Sequence, residues 1–194
     1  MAKRCFTKRG RAEAERKVIP TRKLLLILAT TALLTTTASA DTVYVNSKDG
    51  LKLRAKPDTG SAVIQVLDFG AEIAVTDKTG EWLKVEGGGY VQDTYTQATN
   101  PFDSMTCMGE WRITAYAETG YVCANGNYPT TGYTIACNSL PFGTEVYIDG
   151  VGFRVVEDRG PGWLGDAWLD IYLGVYDECV QWGNQYRTVW VVNE

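Results

Sequence analysis

Between residues 42 and 96, apolar and polar positions alternate in short runs, TVYV, LKLRA, AVIQVL, AEIAV, EWLKV and GYV, cut by the turns SKDG, KPDTGS, DFG, DKTG and EGGG. A period of two gives each strand one buried face, and turns at this density predict a small all-β barrel over residues 41–96. Residues 97–106, QATNPFDSMT, are polar with one proline and read as a linker. A second β-rich unit follows over residues 107–194, with candidate strands EWRITAYA, YTIAC, TEVYID, GFRVVE, AWLDIYL and QYRTVWVV. One helix interrupts it. In VYDECVQW, helical spacing sets Val175, Tyr176, Cys179, Val180 and Trp182 toward one apolar face, and Gly183 stops it. Loop 118–132, ETGYVCANGNYPTTG, is long and rich in Gly and Asn, as functional loops often are.

The first 40 residues follow neither pattern. A basic stretch to Lys23 precedes an apolar core, Leu24 to Leu34, and a small-residue segment ending Ala38-Ser39-Ala40. This predicts a secretory signal peptide over 1–40 cleaved before Asp41, and a secreted protein of the cell wall or extracellular space with no stable membrane span after cleavage. An uncleaved anchor is the alternative, although the core is short and threonine-rich for a spanning helix. Export to an oxidising space leaves Cys107, Cys123, Cys137 and Cys179, which admit one or two disulfides and three full pairings, and a disulfide at Cys123 would tether the 118–132 loop.

Charge and composition narrow the chemistry. Residues 1–40 hold 9 of the 19 Lys and Arg and 2 of the 23 Asp and Glu, so residues 41–194 carry 10 basic against 21 acidic side chains. Such an acidic body argues against nucleic-acid binding, and contact with an anionic wall must rest on local features. Histidine is absent, which removes Ser-His-Asp and Cys-His catalysis and His-ligated zinc. No cysteine spacing suggests a metal, and no cofactor is implied.

The chemistry concentrates in Phe153 to Tyr172, FRVVEDRGPGWLGDAWLDIY, read as strand, Gly-rich loop, strand. Each strand carries one candidate acid, Asp158 and Asp170, and the loop with Gly160, Pro161, Gly162 and Gly165 can fold back to set both beside one cleft. Trp168, Leu169, Ile171 and Tyr172 flank Asp170, a setting that desolvates a carboxyl and raises its pKa. Strand alternation places Glu157, the alternative acid, opposite Asp158 and exposed. Glu145 and Glu178 read as surface residues, and Arg159 as a counter-charge to Asp158. The plainer reading makes Asp158 a turn cap and Asp170 an ordinary strand position.

Residues 42–96 resemble the bacterial SH3-like domain of secreted wall proteins, through GLKLRAKPDTGSAVIQVLDFGAEIAV and GEWLKVEGGGYVQDTYT, with Arg54, Pro57, Gly70, Trp82, Gly89, Tyr90 and Val91 at the pattern's positions and Lys52 where Asn is usual. The resemblance implies a spacer or a binder of wall peptide or glycan. Trp82 and Tyr90 are groove candidates, although strand aromatics are more often core.

Residues 107–193 resemble the three-aspartate domain of bacterial wall-lytic enzymes, related to the lytic transglycosylase A family. The matching segments are ITAYA, TGYTIACNSLPFGTEVYIDGVGF, VVEDRGPGWLGDAWLDIYLG and VYDECVQWGNQYRTVWVV, in that order. The resemblance implies a six-stranded double-psi β-barrel with one short helix, acting on peptidoglycan glycan strands. Asp158 and Asp170 fall on the second and third aspartates. Asn138 stands where the first belongs, and Trp163-Leu164-Gly165 where a lysine is usual. The implied reaction cleaves the bond between N-acetylmuramic acid and N-acetylglucosamine with Asp170 as acid and base, leaving a 1,6-anhydro sugar. Asp158 would tune Asp170 by like-charge proximity or bind substrate hydroxyls, and Asn138, Tyr116, Trp163, Thr144 and Gly160 are the substrate-binding candidates. A non-catalytic, expansin-like wall binder is the alternative, and a structural or inhibitory partner of another wall enzyme the third.

Overall fold

The computed structural model of the chain describes residues 41–193; the expected signal segment lies outside the described residues. In the first unit, β1 (Asp41–Val45), β2 (Leu51–Arg54), β3 (Val63–Leu67), β4 (Glu72–Thr79), β5 (Trp82–Val85), β6 (Tyr90–Gln92) and the two-residue β7 (Thr96–Gln97) form one SH3-like sheet in the order β3-β2-β6-β5-β4-β1-β7. Alternation does the folding: Val45, Leu51, Leu53, Ile73, Val75, Leu83 and Val91 turn inward and meet. Trp82 and Tyr90 are half-buried. Edge strand β3 pairs with β2 alone and exposes Val63, Ile64 and Val66.

The second unit is a closed barrel of β8 (Met105–Ala117), β9 (Thr134–Ala136), β10 (Glu145–Ile148), β11 (Gly152–Asp158), β12 (Trp168–Gly174) and β13 (Gln185–Val192), in the order β10-β11-β9-β12-β8-β13. Pairs β8–β12 and β9–β11 are parallel and the other four antiparallel. Parallel neighbours cannot be joined by hairpins, so the chain crosses the barrel twice, the double-psi arrangement. Ile113, Ile135, Leu169 and Ile171 fill the interior with Val146, Ile148, Val156 and Val189. Thr114, Ala136 and Asp170, the residues beside them in the chain, therefore face the outer wall.

Helix α1 (Tyr176–Trp182) ends at Gly183, whose N–H bonds the Cys179 carbonyl. Its expected apolar face is not buried. Val175, Tyr176 and Val180 are exposed, because two turns lying on a curved wall make contact along one edge. Trp182 packs on the barrel core and donates its Nε1–H to the Ile113 carbonyl at 3.3 Å. Cys123, Cys137 and Cys179 are free thiols, so no bridge joins these three. No described helix is long and apolar enough to cross a membrane.

Residues 97–106 do more than connect. Asn100 caps a 3-10 turn, Pro101–Ser104, by accepting from the Phe102 N–H. The turn drives Phe102 among Phe69 of the first unit and Tyr147 and Trp190 of the second, with ring centroids 4.6–5.4 Å away. A Cβ on Gly70 would come within 2.3 Å of the Phe102 ring, at a backbone φ of 75°, so close approach and conformation both demand glycine there. Glu145 is not a lone surface residue: Lys48 of the first unit pairs with it at 2.6 Å and lies over the Phe153 ring.

Candidate active site

The register builds the site. Asp158 of β11 and Asp170 of β12 both pair with Ala136 of β9, one from each side, and Asp170 pairs in turn with Thr114 of β8. Asp158, Ala136, Asp170 and Thr114 thus form a row across four strands of the outer wall. The two acids stand two strand spacings apart, about 10 Å between backbones, with only the Ala136 methyl between them.

Asp170 is half-buried, and burial pushes its carboxyl above the ordinary aspartate value. The Thr114 hydrogen bond and the Arg112 charge pull the other way, and the Asp158 charge adds to the rise. Thr114 Oγ1 donates to Asp170 Oδ1 at 2.7 Å and accepts from Trp168 Nε1 at 2.9 Å. The indole thus occupies a lone pair of the hydroxyl and directs its hydrogen at Oδ1. A transferable proton on Asp170 accordingly belongs on Oδ2. Thr114 was not singled out in the sequence. Its place after Ile113 in ITAYA, on the outward side of an inward isoleucine, was the available signal.

Glu157 corrects the sequence reading. A β-bulge between Val156 and Asp158 inserts one residue into β11, so two consecutive acids turn to the same wall. Glu157 is buried, at 8 % exposure. Its Oε2 accepts from Thr134 Oγ1 at 2.6 Å and its Oε1 from Asn127 Nδ2 at 2.9 Å and Asn125 Nδ2 at 3.4 Å. Burial pushes its pKa up, but these three donors outweigh it and hold it below the ordinary glutamate value.

That carboxylate, rather than a disulfide through Cys123, anchors the long loop of residues 118–133. The Asn125 N–H also bonds the Glu157 carbonyl, and the Cys123 N–H closes the loop on Asn127. The Ala124 N–H is thereby delivered to Asp158 Oδ1 at 2.9 Å, beside the Arg159 N–H at 2.8 Å. Beneath the loop, the Tyr116 hydroxyl is buried near Asp158 and the Cys123 thiol without a hydrogen bond of acceptable geometry. Burial first, then these neighbours, raise its pKa. The Tyr116 ring packs against Tyr172 at 5.2 Å, and Tyr172 donates to Glu118 at 2.7 Å. Tyr116 is thus half-buried in the wall under the loop, with its hydroxyl turned inward.

The other bank is loop 159–167, seated on Trp168. Gly160 lies flat on the indole, where a Cβ would meet the ring at 2.2 Å. Asn138 uses both ends of its amide to hold this loop: Oδ1 accepts from the Gly160 N–H at 3.0 Å and Nδ2 donates to the Pro161 carbonyl at 3.2 Å. Ser139 donates to the Asp166 carbonyl at 2.7 Å. Arg159 forms no ion pair with Asp158; its guanidinium lies 3.7 Å from the Phe142 ring centroid and donates to the Cys137 carbonyl. Trp163, on this loop, is 79 % exposed. Thr144 stands apart from the row. Its backbone bonds Pro141 and Val156, and alternation aligns it with the inward-facing Val146. The candidate site is therefore the row Asp158, Ala136, Asp170 and Thr114, with loop 118–133 held against Asp158 and loop 159–167 seated on Trp168. Among the described residues no three acidic or thiol side chains gather as a metal site.

Residues 49–97 match the bacterial SH3 domain family, and residues 133–193 match the 3D domain family. Both are typical of cell-wall or extracellular proteins, and the 3D family is associated with proteins active on cell-wall glycan. No curated protein and no solved structure matches the chain.

Proposed function

We propose that this chain, which carries a bacterial SH3 domain followed by a 3D domain, is a secreted lytic transglycosylase of peptidoglycan. Asp170 protonates the oxygen between N-acetylmuramic acid and N-acetylglucosamine through Oδ2. It then takes the proton from the C6 hydroxyl of the same muramic residue as that oxygen attacks C1, and the product is a 1,6-anhydro sugar. The substrate supplies its own nucleophile, so one carboxyl serves as acid and then base, and the second carboxylate of an ordinary glycosidase is not needed.

The observation that carries this reading is the half-buried Asp170, with its pKa raised by burial and one oxygen held by Thr114. Asp158 contributes charge, which keeps the Asp170 proton in place, and two N–H donors on its Oδ1 hold that carboxylate in position. Trp163 offers an open ring face to a sugar. The first domain has a cleft of about 540 Å³ bounded by β3, β4 and the β5–β6 turn, with Glu72 and Glu86 on its wall, suited to a wall peptide.

Mass spectrometry of peptidoglycan incubated with the protein tests the reading. Anhydro-muramyl products from wild type and none from Asp170→Asn are expected; reducing ends in their place would make it a hydrolase. One observation favours a second reading, a non-catalytic wall binder: Asn138 stands at an acid position of the related enzymes and spends its amide on the loop. Retention on the wall with no product would establish that reading.

A further inference from the structure

The outer wall beside Asp170 does not end at Thr114. Arg112, two residues earlier on β8, lies on the same outer wall and pairs with Trp168 of β12 on one side and Tyr186 of β13 on the other. This second row is one strand repeat, about 7 Å, from the row holding Asp170. Arg112 makes no close ion pair among the described residues, where the pairs are Lys48–Glu145 and Lys78–Asp93, and its charge reaches Asp170 only at longer range. Its Nε donates to Asn184 Oδ1 at 3.1 Å. That bond fixes the amide so that Asn184 Nδ2 and the two terminal guanidinium nitrogens are donors with no protein acceptor among the described residues. Tyr186 is 61 % exposed and sits directly opposite Arg112 across the antiparallel pair, where side chains leave their backbones about 5 Å apart.

We propose that Arg112, Asn184 and Tyr186 form a subsite for a carboxylate-bearing N-acetylated sugar beside Asp170. The guanidinium fork matches a carboxylate with two parallel bonds. The Asn184 amide supplies a donor for an acetamido carbonyl, and the tyrosine face takes the apolar side of the ring. The inference rests on the transglycosylase reading and refines its substrate: the muramic residue bound here carries a free lactyl carboxylate, not one amidated by a stem peptide.

The test uses the full chain with Asp170→Asn, which binds without turnover. Nitrogen-15 spectra follow the Arg112 Nε and Asn184 amide signals during titration with a disaccharide of N-acetylglucosamine and N-acetylmuramic acid, and with the same sugar after amidation of the lactyl group. Both signals are expected to shift with the acid sugar, with about tenfold weaker binding of the amide, the worth of one charge-assisted bond. Arg112→Lys should remove most of that preference, and Tyr186→Leu should weaken both sugars alike. Equal affinity for the two sugars, or an undiminished preference in Arg112→Lys, would overturn the subsite. Wild-type protein that binds with this preference but yields no cleaved glycan would keep the subsite and refute the transglycosylase; cleavage without the preference would do the reverse.

Discussion

Replacing Glu157 by glutamine isolates the anchor of loop 118–133. The glutamate accepts from Thr134 at 2.6 Å and Asn127 at 2.9 Å, with Asn125 more distant at 3.4 Å. Glutamine keeps one acceptor and presents an NH2 to the other donors, so at least one charge-assisted bond is lost and a buried donor is stranded. The cost is about 2–3 kcal/mol. The sign with pH follows from the lowered carboxyl pKa. The unfolded glutamate titrates near the ordinary value of 4.5 and the folded one below it. The stabilisation is therefore complete above the unfolded value and disappears as pH falls through the folded one. Urea unfolding of wild type and Glu157→Gln at pH 7 and at pH 3 is the assay, with tryptophan fluorescence as the signal. A wild-type advantage at pH 7 that shrinks in acid is expected. No gap at neutral pH, or a gap of constant size at both, would refute the anchor.

Three further outcomes follow from the same geometry. Cleavage should fall with rising pH at a midpoint above the ordinary aspartate range, because Asp170 must be protonated and burial raises its pKa; a pH–rate profile with its fall already near pH 4 would contradict this. Gly160→Ala puts a methyl group into the Trp168 ring, so loop 159–167 must lift, and an altered Trp168 environment in near-ultraviolet circular dichroism with at least tenfold slower cleavage is expected from lost positioning. Phe102→Ala removes the ring shared by both units and should cost about 3–5 kcal/mol, splitting one calorimetric transition into two.

The strand and turn pattern was legible where a strand buries one face, as β2 and β4 do with Leu51, Leu53, Ile73 and Val75, which writes a period of two into the chain. Gln185–Val192 coincides with the QYRTVWVV run, and both aspartates were evident as polar positions among apolar ones. Glu157 was misplaced because a bulge is a feature of pairing: nothing in RVVED marks which residue its neighbour β9 will skip. The helix face failed because helical spacing groups Val175, Tyr176 and Val180 without saying how much of a two-turn helix touches the barrel. Arg159 was assigned to Asp158 by adjacency, whereas Phe142, seventeen residues earlier in the chain, takes its side chain.

The Phe102 junction changes what the first domain contributes. A flexible tether turns binding by one module into a raised local concentration of the other, and every orientation remains to be searched. Here the tether is itself packed, and Lys48–Glu145 spans the seam. Any polymer that the first barrel held would therefore meet the Asp170 row at one offset and one heading. Tandem binding becomes a question of alignment, so the repeat length of the polymer, rather than its abundance, decides whether both units engage it together.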